Sequence, residues 1–287
     1  MQHAAAIRSL HHVALTRTLH CCGRWPALHH SRRASSLSSP PAPAGLDYRP
    51  FQRDGIQRML EAKRLLVADE MGLGKTVQAI GCLNARPSIR AVLIVCPKSM
   101  LLTWERELQR WLTRPLRVGI VKPGAPLPEC EVLLVNYEST AKRKEELMAR
   151  GPWDALICDE AHYLKNPETQ RSKAVLGSLL KAAKARAADE GPIEAEHLWL
   201  LTGSPMMNHP IELWPLLRAV DPNAERMPIL MSFYAFRERY CDPKKKRYGM
   251  DYSGVSHADE LARAIEDGEL MIRRVKADVC LNIHMYT

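Results

Sequence analysis

The stretch "LLVADEMGLGKTVQAI", residues 65 to 80, brings together side chains suited to holding phosphate. Gly72 and Gly74 let a backbone approach an anion where a Cβ would intrude, and their N–H groups can point at phosphate oxygens. Lys75 would reach the β- and γ-phosphates, and the Thr76 hydroxyl would ligate magnesium. One position is anomalous. The general phosphate-loop pattern, G-x-x-x-x-G-K-[ST], asks for glycine where this chain has Asp69.

A second chemical group ends the apolar run of "LICDEAH" (156–162). Asp159 has the charge to hold magnesium, and Glu160 could polarise an attacking water. "LWLLTGSP" places the hydroxyls of Thr202 and Ser204 after a further apolar run, suited to sensing a phosphate end. Upstream, "YRPFQRDGI" offers the Phe51 ring for stacking and the Gln52 amide, which can both donate to and accept from an adenine edge.

These groups need elements that deliver them to one edge. Apolar strands are expected at 64–69, 91–96, 116–121, 131–136, 154–159 and 197–202. Helical patterns lie between most of them. "MLLTWERELQRWL" puts Leu101, Trp104, Leu108, Trp111 and Leu112 on one face with charges opposite. "STAKRKEELMARG" and the longer "ETQRSKAVLGSLLKAAKARAADEG" each read as a helix closed by glycine. Short continuous apolar strands separated by helices predict an α/β fold, a parallel sheet with helices on both faces. Ligands in such folds sit at the carboxyl ends of the strands.

Composition is that of a soluble globular chain: 287 residues, 46% hydrophobic and 25% charged, with no apolar run of the ~18 residues a membrane helix needs. No membrane partner is expected. Of the 41 Lys and Arg, five lie in residues 1–46, which hold no acid; the other 36 face 32 acids, so the net +9 overstates how basic the rest is. Nucleic acid is permitted as a partner but not required. The eight cysteines form no C-x-x-C pair, which points to a reducing, intracellular protein without zinc. Residues 1–46 also carry six of the eleven histidines and "SRRASSLSSPPAPAG". They read as a disordered basic tail, with a mitochondrial transit peptide as the alternative.

The order P-F-Q, D-E-M-G-L-G-K-T, C-P-K-S, D-E-A-H, L-T-G-S-P resembles the first RecA-like lobe of helicase superfamily two, specifically the Swi/Snf-type DNA-dependent ATPases. That family writes its phosphate loop with aspartate in the first glycine position, so Asp69 marks the branch. The resemblance covers residues 47 to about 279, and "FRERYCD", "GMDYSG" and "DELARAIEDGELMIRRVKADV" are similar to the HARP-type annealing-helicase branch.

The resemblance implies a RecA-like ATP-binding lobe at 47–222, a small mostly helical protrusion at 223–279, and ATP with Mg as cofactors. It assigns catalysis to Lys75, Asp159 and Glu160. "CPKSMLLTW" and "VNYEST" match DNA-contacting segments, which implies backbone contacts to forked or double-stranded DNA through Lys98, Ser99, Asn136 and Tyr137. "DPKKKRYG" is expected as an exposed basic turn on the protrusion, either merely solvated or touching DNA.

Relatives continue into a second RecA-like lobe, which here would have to come from elsewhere, in cis or in trans. Residues 280–287 are expected to be unstructured. The chain is then either the ATP-binding lobe of a DNA translocase or a non-catalytic ATP- or DNA-binding module regulating a full-length relative. An RNA helicase of the D-E-A-H kind is disfavoured by Lys165-Asn166 and "RRVKADV", which belong to the DNA-translocating branch. The implied location is DNA-associated.

Overall fold

A computed structural model describes residues 39–180, 190–206, 209–247 and 249–283. The chain enters through helix α1 (Pro50–Ala62), which begins with proline where no intrahelical N–H is needed. It then alternates β1 (Arg64–Val67), α2 (Lys75–Ala85), β2 (Val92–Cys96), α3 (Leu101–Trp111), β3 (Val118–Ile120) and β4 (Val132–Asn136). Two short helices follow, α4 (Tyr137–Lys142) and α5 (Lys144–Arg150), then β5 (Trp153–Asp159), α6 (Gln170–Leu176), β6 (Ala195–Leu201) and α7 (Trp214–Val220).

All the expected strands form, and every pairing in the main sheet is parallel. Burial on both faces explains their continuous apolar sequences. In β2, Leu93 and Val95 enter one core with Val175, Trp214 and Leu217; Val92, Ile94 and Cys96 enter the other with Ile56, Ile80, Trp104 and Leu108. The amphipathic face of α3 lies as its periodicity predicts, with Leu101, Trp104, Leu108 and Trp111 buried.

Five expectations change. The helix read through 168–191 stops at Leu176, where the Gly177 N–H donates to the Lys173 carbonyl; residues 181–189 lie outside the described ones. "STAKRKEELMARG" is two helices, broken at Arg143, whose φ of −119° leaves the helical region. The end of the expected disordered tail is docked: Ala42 and Leu46 pack against the second core, and Tyr48 donates its hydroxyl to the Pro41 carbonyl at 3.1 Å. Residues 1–38, with the transit-peptide reading, lie outside the described residues.

The fourth change concerns the protrusion. Helices α8 (Phe233–Tyr240) and α9 (Ala258–Asp267) flank a hairpin of β7 (Lys244–Lys246) and β8 (Gly249–Asp251). Phe236, Tyr240, Leu261 and Ile265 join the first core, so this segment shares the interior of the lobe. The chain then returns as β9 (Met271–Ile272), a seventh parallel strand beside β1, giving the order β3-β4-β2-β5-β6-β1-β9. Residues 271–272 therefore belong to the sheet. Helix α10 (Lys276–Ile283) follows at once, so residues 280–283, expected to be unstructured, are helical, and 284–287 lie outside the described residues. The lysine hairpin is exposed as expected, but Lys244 pairs with Asp242 at 2.8 Å and Lys246 with Asp251 at 2.6 Å, so much of its charge is answered locally.

Candidate functional site

The loop between β1 and α2 lies at the carboxyl edge of the sheet. Gly74 precedes the helix with φ 76° and ψ 44°, a left-handed conformation open to glycine, and α2 starts at Lys75 so that its positive end faces the loop. Lys75 donates to the Asp69 carbonyl at 2.8 Å and reaches the Glu70 carbonyl at 3.5 Å. Its ammonium is thus held by the loop itself. Burial lowers its pKa, while the charges of Asp69, Glu160 and Asp159 oppose that shift. Thr76 sits half-buried in the first turn of α2.

Asp159 ends β5 beside Leu201 of β6. It is almost fully buried. Its Oδ2 accepts from Trp104 Nε1 at 2.8 Å, and its Oδ1 accepts from the Glu160 backbone N–H at 3.0 Å. Burial raises its pKa against the donation from Trp104. Glu160 adopts φ 49° and ψ 50°, rarely populated by a side-chain-bearing residue, and its carboxylate lies 3.1 Å from His162 Nδ1. That hydrogen bond lowers the Glu160 pKa. Thr202 Oγ1, fully buried, sits 3.5 Å from the same nitrogen and accepts from the Ser204 N–H at 3.1 Å. Glu160, His162 and Thr202 therefore link the ends of β5 and β6. The turn after β6 also borders the phosphate loop: a Cβ on Gly203 would stand 3.6 Å from Lys75 Nζ.

A triphosphate with a divalent cation fits these residues. The glycine loop supplies a cradle at a helix N-terminus, and Lys75 supplies a cation now resting on carbonyls. Among the described residues no cluster of three or more His, Cys, Asp or Glu could hold a metal alone. Magnesium held through one or two protein oxygens plus substrate phosphates needs no such cluster, and Thr76 and Asp159 would provide those oxygens.

Asp69 is fully buried and its carboxylate is occupied. Oδ1 accepts from the backbone N–H and Nε of Arg274 at 3.1 and 3.0 Å; Oδ2 accepts from Arg274 Nη2 at 2.7 Å and from Gln78 Nε2 at 3.0 Å. The acid in place of the first glycine thus faces an arginine 205 residues away, and not the space where phosphate would lie. Gln52 is also engaged. Its Nε2 donates to the Leu73 carbonyl at 3.3 Å and its Oε1 accepts from the Arg49 N–H at 2.9 Å, tying the start of α1 to the phosphate loop. Phe51 is half-buried, with the Arg274 guanidinium 5.4 Å from its ring centre.

The SNF2-related domain family matches residues 51–285, most of the chain. This chain belongs to that family. Among curated SNF2 relatives, it is 36% identical over 247 residues to the SWI/SNF-related matrix-associated actin-dependent regulator of chromatin subfamily A-like protein 1 of Xenopus tropicalis, covering 85% of this chain and 24% of the relative. It is 30% identical over 243 residues to the human DNA annealing helicase and endonuclease ZRANB3, covering 80% of this chain and 21% of that protein. The chain therefore spans about a quarter of the length of these relatives. The Sulfolobus solfataricus SWI2/SNF2 ATPase core, solved in complex with double-stranded DNA, superposes with a TM-score of 0.65 at 26% identity, over 84% of this chain and 47% of that one. The RecA-like parallel sheet is shared with that core.

On this SNF2 sheet the expected DNA-facing residues divide. Lys98 and Ser99 open an exposed 3-10 turn after β2. Asn136 and Tyr137, the other two residues expected on the DNA side, are buried. Asn136 caps α4, accepting from the Ser139 N–H at 2.8 Å. Tyr137 is fully buried, stacked on Tyr163 at 5.2 Å, and donates its hydroxyl to the Asp159 carbonyl at 2.7 Å. Sequence reasoning also missed Trp104, His162, Gln78 and Arg274, which contact the loop or the acids. All four lie in stretches already conspicuous in the sequence, "CPKSMLLTW", "LICDEAH", "LLVADEMGLGKTVQAI" and "RRVKADV", but nothing local showed what they would touch.

Proposed function

We propose that this chain is the ATP-binding lobe of a DNA-dependent ATPase that remodels or anneals DNA, acting together with a second RecA-like lobe supplied in cis or in trans. The observation that carries the reading is the convergence, at one sheet edge, of Lys75 on its glycine loop, the buried Asp159 and the Glu160–His162–Thr202 chain. Lys75 would leave the Asp69 carbonyl for the β- and γ-phosphates. Thr76 and Asp159 would hold magnesium, which when bound neutralises charge on the phosphate oxygens. Glu160, its pKa lowered by the hydrogen bond from His162, would polarise the attacking water and accept its proton. His162 would report the state of that acid to Thr202 and the turn after β6.

Phe51 and Gln52 would border the adenine. With Gln52 already bonded to Arg49 and Leu73, its part is to shape the pocket wall. DNA would meet Lys98 and Ser99 through its phosphate backbone, in a sequence-tolerant and salt-sensitive way. Support comes from their exposure and from the double-stranded DNA in the Sulfolobus core complex. The names of the relatives place them with chromatin regulation and DNA annealing, which favours a DNA-associated location.

The decisive measurement is calorimetric titration of MgATP into the wild-type chain and Lys75→Ala. Losing a charge-assisted contact worth about 1.5–3 kcal/mol should weaken binding by roughly one to two orders of magnitude. Equal affinities would remove the site assignment.

A further inference from the structure

We infer that Arg274 is a positioning residue for the nucleotide site, acting through Asp69 to hold the phosphate loop in its binding shape. The inference rests on the ATP reading above. Beyond β9, the chain stays zipped to the loop. The Ala68 N–H donates to the Ile272 carbonyl at 2.7 Å, the Glu70 N–H to the Arg274 carbonyl at 2.9 Å, and the Lys276 N–H to Glu70 Oε2 at 2.6 Å. The parallel ladder of β1 and β9 therefore continues into the first half of the phosphate loop.

Arg274 closes this arrangement from the side. Besides its forked contact with Asp69, it donates to the Phe51 carbonyl, to Gln78 Oε1 at 2.7 Å and to Asp54 Oδ2 at 3.4 Å. One guanidinium thus joins α1, the loop, α2 and the chain after β9. The contact is tailored. A Cβ on Gly55 would lie 1.9 Å from Gln78 Oε1 and 2.6 Å from Arg274 Nη2, so a larger residue there would displace one of these two side chains. The general phosphate-loop pattern has glycine first, a residue with no side chain to anchor. Here the residue at that position instead accepts four hydrogen bonds, and the loop is shaped by an external anchor. The two carbonyls that hold Lys75, those of Asp69 and Glu70, belong to the anchored residues. Arg274 consequently sets where Lys75 rests and where the loop N–H groups point.

The experiment is a double-mutant cycle read as affinity for MgATP and for inorganic tripolyphosphate, with Asp69→Gly, Arg274→Gln, their combination and Lys75→Ala, all well below their melting temperatures. Asp69→Gly restores the general glycine yet should bind both ligands roughly ten-fold more weakly, because the anchor is gone. Arg274→Gln should lose a similar factor, and the double variant should lose no more than either single, as expected for groups acting as one unit. Arg274→Lys should recover part of the loss. Asp69→Gly is the variant that keeps the test alive if the others do not fold, since Arg274 retains Phe51, Asp54 and Gln78. A merely structural pair would lower melting temperatures and leave the affinity of the folded protein unchanged.

Asp69→Gly binding ATP within two-fold of wild type, or losses that add in the double variant, would overturn the proposal while Lys75→Ala still showed the site to be real. If Lys75→Ala also bound normally, the ATP reading and this inference would fall together.

Discussion

At the scale of single residues, the acids at the end of β5 sit in opposed environments. Asp159 is buried and its carboxyl is raised; Glu160 is half-buried and lowered by His162. A carboxyl whose pKa is raised on folding favours the folded state below its unfolded pKa and loses that contribution as pH rises through the folded value. Near neutral pH the wild-type lobe therefore carries a desolvation cost at Asp159. Asp159→Asn removes that charge but keeps only one acceptor oxygen for the two donors, Trp104 Nε1 and the Glu160 N–H, so its melting temperature relative to wild type, without magnesium, should be most favourable at neutral pH. It should become less favourable as pH falls to about 4, the ordinary carboxyl range. Differential scanning calorimetry across pH checks it, and a difference independent of pH would show that burial of the charge is not the cause. The same variant should lose the magnesium dependence of ATP binding.

At the scale of elements, strand β4 and the turn after β2 separate positions that look equivalent in sequence. Lys98 lies on an exposed 3-10 turn, whereas Tyr137 is locked under β5 by its bond to the Asp159 carbonyl. Lys98→Ala should weaken binding to a duplex and reduce the slope of log affinity against log salt by about one, the release of one counterion. Tyr137→Phe should leave that slope alone and instead destabilise the lobe by about 1 kcal/mol, one lost buried hydrogen bond. Fluorescence anisotropy at several salt concentrations and urea unfolding separate the two effects. A reduced salt slope in Tyr137→Phe would put the ring back on the DNA side.

At the scale of the whole molecule, the cations around the glycine loop include Lys75 in the loop, Arg273 donating to the Ala68 carbonyl at 3.2 Å, Arg274 on Asp69, and Lys276, whose Nζ would stand 3.4 Å from a Cβ on Gly72. Phosphoryl transfer gains its largest accelerations from charge arriving opposite the bound phosphate, worth about 10³–10⁵ in rate when an arginine finger supplies it. The 287-residue chain is accordingly expected to bind ATP but release little phosphate with fork DNA, and to speed up by orders of magnitude when a second RecA-like lobe is added. The assay uses Glu160→Gln as its blank. Strong turnover by the chain alone, abolished in that blank, would show that it completes its own site.

Strand identity, the parallel sheet and the chemical edge could be read from the chain, because continuous apolar runs and glycine-bounded loops are local patterns that burial on two faces imposes. Lys75, Thr76, Asp159 and Glu160 could be singled out for the same reason: Asp159 ends a predicted strand with Glu160 next to it, and Lys75 and Thr76 follow the glycine loop after another. What the sequence could not decide was which polar groups face one another across the fold. Asp69 was legible as an anomaly, but its partner Arg274 is 205 residues away, and only the return of β9 beside β1 brings them together. Tyr137 looked available at a strand end and is buried by Tyr163, because exposure depends on what packs above a residue and not on its neighbours in the chain. Local periodicity determined the elements; long-range packing determined which of their polar side chains were left free to meet a ligand.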